Sequence, residues 1–280
     1  MNEYQKKIAE FYSLTEDAAR LVWRLDDCMA IHYGYWDDSV RTFAQSLIRM
    51  NEVMAETVQI TSSDIVLDAG CGVGGSSIYL AKNFGCRVVG VTLSERQMNL
   101  AYANAEDAGV THLTEFKVMD YSQTIFPDEY FDVVWGCESI CYAESKEQFI
   151  REASRILKQR GRLVVADGFV TALENNTNPI MRTWVEGWAA KSLESTDRFM
   201  RFMKEAGFSK TTCKDITAHI THSARRIARF YYPAKVNHLF HRMIGQSVST
   251  IDVRNVEACR FQWLGLQQKL WMYGLMLGIK

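Results

Sequence analysis

The chain has 280 residues, 48% hydrophobic and 23% charged, the balance of a globular protein long enough to bury a core without disulfide or metal staples. Lys and Arg total 32 against 33 Asp and Glu, and the resulting charge of -1 argues against a polyanion-binding surface over the whole molecule. Seven cysteines with no CxxC pair argue against a disulfide framework and predict reduced thiols in a cytoplasmic protein. The N-terminal segment lacks the apolar run of a signal peptide, and no stretch reaches the ~18 uninterrupted apolar residues of a membrane span.

Residues 1–60 read as an N-terminal helical cap. Leu21, Leu25, Cys28 and Met29 recur at helical spacing, as do Phe43, Leu47, Met50 and Met54. Between them lies a glycine-marked aromatic turn, His32-Tyr33-Gly34-Tyr35-Trp36. The period then changes. Strands are expected at 64–68, 87–91, 115–118, 131–135 and 162–166. Helices are expected between them at 76–84, 94–107, with Ser94 as N-cap, and 146–158. This alternation predicts an α/β fold, a doubly wound parallel sheet with helices on both faces, over residues 61–217. Within that span a helical insert is expected at about 171–197, then a helix at 198–206 and a strand at 210–216. Residues 218–262 read as a helical lid, and 263–280 as a final strand that completes the sheet at its edge. The helical additions, at the N-terminus and after the fifth strand, are expected to lie over one end of the sheet.

The turn after the first core strand reads Val66-Leu67-Asp68-Ala69-Gly70-Cys71-Gly72-Val73-Gly74-Gly75. Glycines at 70 and 72 allow close backbone approach to a ligand, with a helix N-terminus beyond. An anion at Asp68 suits an ammonium group and would repel a pyrophosphate. A ligand with a cationic amino-acid end is therefore expected. LDAGCGVGG resembles motif I of the class I S-adenosylmethionine-dependent methyltransferases, and the resemblance runs in order over residues 60–217. It implies a Rossmann-like sheet and S-adenosyl-L-methionine as cofactor, with Asp68, Gly70 and Gly72 holding its methionine portion. Thr92 stands where the family usually has an acid for the ribose, in a TLSxxQ variant that makes Gln97 the ribose contact. Asp120 then accepts the adenine amino hydrogens, Tyr121 lines the base, and Cys137 completes the cofactor set. Gln159-Arg160 replaces the Pro-Gly of the usual turn before the fifth strand.

Past the fourth strand, Gly136-Cys137-Glu138-Ser139-Ile140-Cys141-Tyr142 lies where open α/β sheets place their ligands. Glu138, close to aromatic residues, is the candidate base, with a pKa expected to be raised. The segments DAGCGVGGS, GVTLSERQ and ES-x-x-Y resemble the geranyl diphosphate C-methyltransferases and, more distantly, the tocopherol and sterol methyltransferases. That resemblance implies methylation of an alkene carbon of a prenyl diphosphate such as geranyl diphosphate. Glu138 would then quench the carbocation, with Tyr33 and Tyr142 completing the catalytic set. His32, Tyr35, Trp36, Trp184, Trp188 and Tyr231 would wall the substrate, and their aromatic faces would stabilise the cation.

From Ile216 to Ile251 there is no acid at all. His222, Arg225, Arg226 and Arg229 in this stretch are candidate donors to a diphosphate and to any Mg2+ that it carries. The pairs His219/His222 and His238/His241 raise zinc, but no carboxylate or cysteine accompanies them, and no protein-held metal is expected. Two other readings stay open. One is an O- or N-methyltransferase of a hydroxylated or amine natural product, which needs little beyond proximity. The other is a cofactor-binding protein that has lost catalysis or gained a cyclase role. The expected partner is a small molecule; no motif speaks for nucleic acid, and assembly into a homo-oligomer is compatible with the sequence.

Overall fold

The chain begins with α1 (Glu3–Leu14), where Asn2 and Gln5 cap each other's backbone reciprocally. Helices α2 (Glu16–Val22) and α3 (Leu25–Cys28) follow, then α4 (Phe43–Val58), started by a second capping box between Thr42 and Gln45. The computed structural model describes residues 1–280 throughout. The alternating region gives β1 (Ile65–Ala69), α5 (Gly75–Phe84), β2 (Arg87–Thr92), α6 (Glu95–Asp107), β3 (Thr114–Val118), β4 (Phe131–Cys137), α7 (Lys146–Ile156) and β5 (Leu157–Val170). The Ser94 hydroxyl accepts from the Gln97 N–H, which is the expected cap of α6. A 3-10 turn at Leu173–Thr177 leads into α8 (Pro179–Gly187), α9 (Thr196–Glu205), β6 (Lys210–Asp215), α10 (Thr217–Arg229), α11 (Tyr231–Met243), α12 (Thr250–Gln267) and β7 (Trp271–Ile279).

One seven-stranded sheet runs in the order β3-β2-β1-β4-β5-β7-β6. The first five strands are parallel, and their order reverses between β1 and β4. At such a reversal the loops at the carboxyl ends diverge and leave a crevice. Apolar side chains fill both sides of the sheet. Phe149 and Ile150 of α7 and Phe199 and Phe202 of α9 pack on one face; Met50 and Met54 of α4 and Ile220 and Ile227 of α10 pack on the other.

The doubly wound α/β sheet is as expected, but the final strand is not at the edge. β7 is antiparallel and sits between β5 and β6, which corrects both the edge position and the fully parallel sheet. Its side chains explain this: Trp271, Tyr273, Leu275 and Met276 are all buried, and only an inner strand hides both of its faces. β6, rich in Lys and Thr, makes the tolerable edge. The helix expected to reach residue 158 stops at Ile156, because the fully buried Leu157 already pairs with Phe131. The chain then turns at Arg160, in the left-handed region (φ 61), and rejoins β4 at Arg162. α12 continues to Gln267, past the boundary expected at 262. All seven cysteines are unpaired, and no helix is long and apolar enough to cross a membrane.

Candidate active site

The crevice between β1 and β4 opens into a cavity of about 920 Å3. Its floor is the Asp68–Gly72 turn, its far wall Thr92, Ser94 and Gln97, and its roof Ile8, Ala9 and Tyr12 of α1 with the 29–32 segment. Gly70 and Gly72 are left-handed (φ 89 and 53), and a Cβ on Gly70 would lie 2.5 Å from the Ser139 Cβ, so the turn tolerates no side chain there. Asp68 is buried and accepts a hydrogen bond from the Ser77 hydroxyl at 2.6 Å; burial pushes its carboxyl up to about 6. Such an anion is costly without a cationic partner. Gln97 accepts from the Thr92 hydroxyl at 2.8 Å, leaving its amide N–H groups free. His32, buried on the same cavity, has an Nε2 with no partner, and burial lowers its pKa. This donor set fits S-adenosylmethionine: a carboxylate for the ammonium, an amide for the ribose and the Tyr121 ring for the base.

A second cavity, of about 900 Å3, adjoins the first. It is enclosed by α1, α2, α8 and α12, and most of its wall is apolar: Phe11, Tyr12, Trp23, Tyr33, Trp184 and Trp188 among others. Four residues line both cavities, namely Tyr12, Ile31, Glu138 and Tyr142. Glu138 is the one ionisable carboxylate in that shared wall. Its backbone is left-handed (φ 48), an uncommon state for a side-chain-bearing residue, at the end of β4. Its Oε1 accepts from the Tyr273 hydroxyl at 2.6 Å and from the Tyr33 N–H at 2.5 Å, which leaves Oε2 without a protein partner. Burial, with the nearby Asp167 charge, holds Glu138 well above the usual carboxylate range, and those two donors pull against it. Asp167, also on the second cavity, is pushed up to about 6 by burial against two backbone N–H donors, Cys141 and Gly168.

The other expected site residues divide. Asp68, Gly70, Gly72, Thr92, Gln97, Tyr121 and Cys137 line the first cavity, and His32 joins them rather than the substrate wall. Tyr33, Tyr142, Trp184 and Trp188 line the second. Asp120 lines neither: its carboxylate accepts from Gln5 Nε2 at 2.5 Å and from the Ser122 N–H at 2.7 Å.

Tyr35 stacks on His219 at 4.1 Å, and Trp36 donates to the Ser223 hydroxyl at 2.8 Å while lying on His222. These contacts bolt the aromatic turn to α10 outside the cavity. The cationic residues stand outside it too, because α10 buries Ile220, Ala224 and Ile227 and turns Arg225 and Arg229 to solvent. Arg226 donates to the Val22 carbonyl at 2.5 Å and covers Phe43, and Tyr231 lies under Arg260. The expected substrate roles of Tyr35, Trp36, His222, Arg225, Arg226, Arg229 and Tyr231 therefore have no support in the geometry.

Sequence reasoning missed Phe11, Tyr12, Trp23, Asp167, Tyr273 and Gln262. Only Asp167, an acid directly after the apolar run Leu163–Ala166, carried a local signal. Gln262 is fully buried and accepts from the Tyr33 hydroxyl at 3.0 Å, so it fixes that ring from α12.

Residues 67–165 match the methyltransferase domain model. The chain is 30% identical to the chloroplastic tocopherol O-methyltransferase of Arabidopsis thaliana over 241 residues, covering 77% of this chain and 66% of the relative. Among solved structures it superposes on the 4+2 cyclase SpnF with a TM-score of 0.79 at 21% identity, covering 98% of this chain and 94% of that one. The geranyl diphosphate C-methyltransferase of Streptomyces coelicolor A3(2), solved with Mg2+, geranyl diphosphate and S-adenosyl-L-homocysteine, matches with a TM-score of 0.77 at 20% identity over 99% and 98% of the two chains. With the glycine turn, the buried Asp68 and the reversed strand order on the same crevice, the chain belongs to the class I S-adenosylmethionine-dependent methyltransferases.

Proposed function

We propose that the enzyme methylates an alkene carbon of an isoprenoid acceptor held in the aromatic cavity, with Glu138 as the base. The observation that carries this reading is that Glu138 lines both cavities and has one oxygen free. When bound, the cofactor supplies an electrophilic methyl group. The chain's own part is to exclude water, align the acceptor and manage one proton. The acceptor's π pair would form the new C–C bond as the methyl–sulfur bond breaks, that bond's electrons leaving with the sulfur of the demethylated cofactor, and a cationic carbon would remain on the acceptor. The faces of Tyr33, Trp184 and Trp188 stabilise that charge, and Glu138 Oε2 removes a proton from the neighbouring carbon to restore the double bond. A carboxylate whose pKa is raised by burial is well matched to that step.

A prenyl diphosphate such as geranyl diphosphate is the sharpest form of the proposal, and its hydrocarbon half is the better supported. No Lys, Arg or His lines the second cavity, whereas Glu138 and Asp167 do. A diphosphate would therefore enter only with a Mg2+ that it carries, set between it and those carboxylates. The second reading is O- or N-methylation of a hydroxylated or amine natural product. It is favoured by Asp167, which offers another proton acceptor on the same wall.

Labelled cofactor incubated with geranyl diphosphate, with and without Mg2+, and with an uncharged isoprenoid alkene tests the acceptor class by product mass. Product from hydroxylated or amine compounds alone would move the assignment to the second reading. Glu138→Gln is expected to keep cofactor affinity and lower turnover by about 100-fold or more; near-normal turnover would remove Glu138 from the chemistry.

A further inference from the structure

α11 attaches to the molecule by a narrow edge. His238 is its one buried residue, bonded to Asp252 at 2.7 Å, and Lys235 reaches Glu257 of α12 at 2.8 Å. The opposite face carries Tyr232, Val236, Leu239, Phe240 and Met243, spaced i, i+4, i+7, i+8 and i+11, and each is 54–72% exposed. Ile244, just past the helix, extends the row at 52%. Single exposed apolar residues need no explanation, but a contiguous helical row of this kind marks a surface with an occupant. Its surroundings say which one. No acid occurs from Ile216 to Ile251; Arg242, next to Met243 of the row, is exposed without a carboxylate partner, as are Arg225 and Arg229 on α10, the helix that leads into α11.

We propose that α11 is a membrane-surface docking helix, its apolar row entering the acyl boundary of a bilayer while Arg242 and the exposed arginines of α10 meet anionic phospholipid headgroups. An amphipathic helix with cationic flanks lies in the plane of such an interface. A second copy is the poorer occupant: a two-fold contact across this face would set the unpaired arginines of both copies against one another. No helix is long and apolar enough to cross a membrane, and a helix lying in the plane of the interface would make the association peripheral. α12, on which α11 rests, contributes Asn255 and Cys259 to the wall of the second cavity. Docking thus brings that wall within one helix of the phase where an apolar acceptor dissolves, whichever of its atoms is methylated.

The test is flotation of the full-length protein with phosphatidylcholine vesicles, with and without phosphatidylglycerol. Recovery is expected only with the anionic vesicles and is expected to fall as salt rises. Leu239→Ser combined with Phe240→Ser, and separately Arg242→Glu, are each expected to lower the partition coefficient about tenfold. Both variants change exposed side chains, so melting should stay at the wild-type temperature and show that the loss is not unfolding. Equal recovery with neutral and anionic vesicles, or none with either, overturns the proposal. So does a wild-type dimer in light scattering that the double serine variant converts to monomer, because the face would then belong to a second copy.

Discussion

The two cavities meet at Glu138 yet are built by opposite means. The proposed cofactor cavity has its floor and far wall on short loops at the carboxyl ends of β1, β2 and β4, strands that each have a neighbour on either side, under a roof from α1, and its specificity is polar. The proposed acceptor cavity is walled by α1 and α2 from the start of the chain, α8 from beyond β5 and α12 from just before β7, and its specificity is shape and aromatic surface. The difference teaches which half of the enzyme is constrained. On the proposed function, the loops of the sheet fix the cofactor, and the helices added at the N-terminus and after β5 set which acceptor fits.

The largest expected effect breaks the polar half alone. Asp68→Asn removes the charge proposed to face the cofactor's ammonium, and the cofactor's Kd should rise about 100-fold by calorimetry. Acceptor-cavity substitutions such as Trp188→Ala should leave that Kd unchanged. If Asp68→Asn binds as tightly as the wild type, the first cavity is not the ammonium site.

A pH series sharpens the same point with the native protein. Burial raises the Asp68 carboxyl to about 6 in the free enzyme. A bound ammonium favours the ionised form, so binding at acid pH must first expel a proton. Affinity is expected to be constant above about pH 6 and to fall roughly tenfold per unit below it. Asp68→Asn should lack that limb.

The acceptor half is probed through Tyr273, whose hydroxyl donates to Glu138 and so favours the carboxylate over the acid. Tyr273→Phe removes that support. The Glu138 pKa should rise further, moving the ascending limb of kcat/KM to higher pH and lowering kcat about tenfold at neutral pH. A simple packing role for Tyr273 would change melting and leave the limb in place.

What was legible in the sequence follows the same division. Asp68, Gly70, Gly72, Thr92 and Gln97 sit within 30 residues of one another, and their chemistry is local: an acid, a glycine turn, a capped helix. Hence both the strand alternation and the residues that line the first cavity could be read directly. Tyr12 and Tyr273, by contrast, come from opposite ends of the chain and look like ordinary apolar positions of a helix and a strand. Only the closed fold brings them to Glu138. β7 was misplaced for a related reason. An apolar run predicts burial, but its place between β5 and β6 depends on the polar face of another strand. The lid arginines failed because charge alone does not say which side of a helix faces the cavity.

The smallest effect concerns the seam where an added helix touches the cofactor side. Asp120, expected to meet the adenine amino group, is held by Gln5 of α1 instead. Gln5 Oε1 also accepts from the Asn2 N–H, so alanine would fray the cap as well as free the carboxylate. Gln5→Glu separates the two, because glutamate keeps the capping acceptor and replaces the donor to Asp120 with a like charge. If adenine displaces Gln5 on binding, the variant no longer has to break that bond, and the cofactor should bind about threefold more tightly and faster. An unchanged Kd would mean that α1 and Asp120 stay joined and that the base is held by Tyr121 and the cavity wall alone.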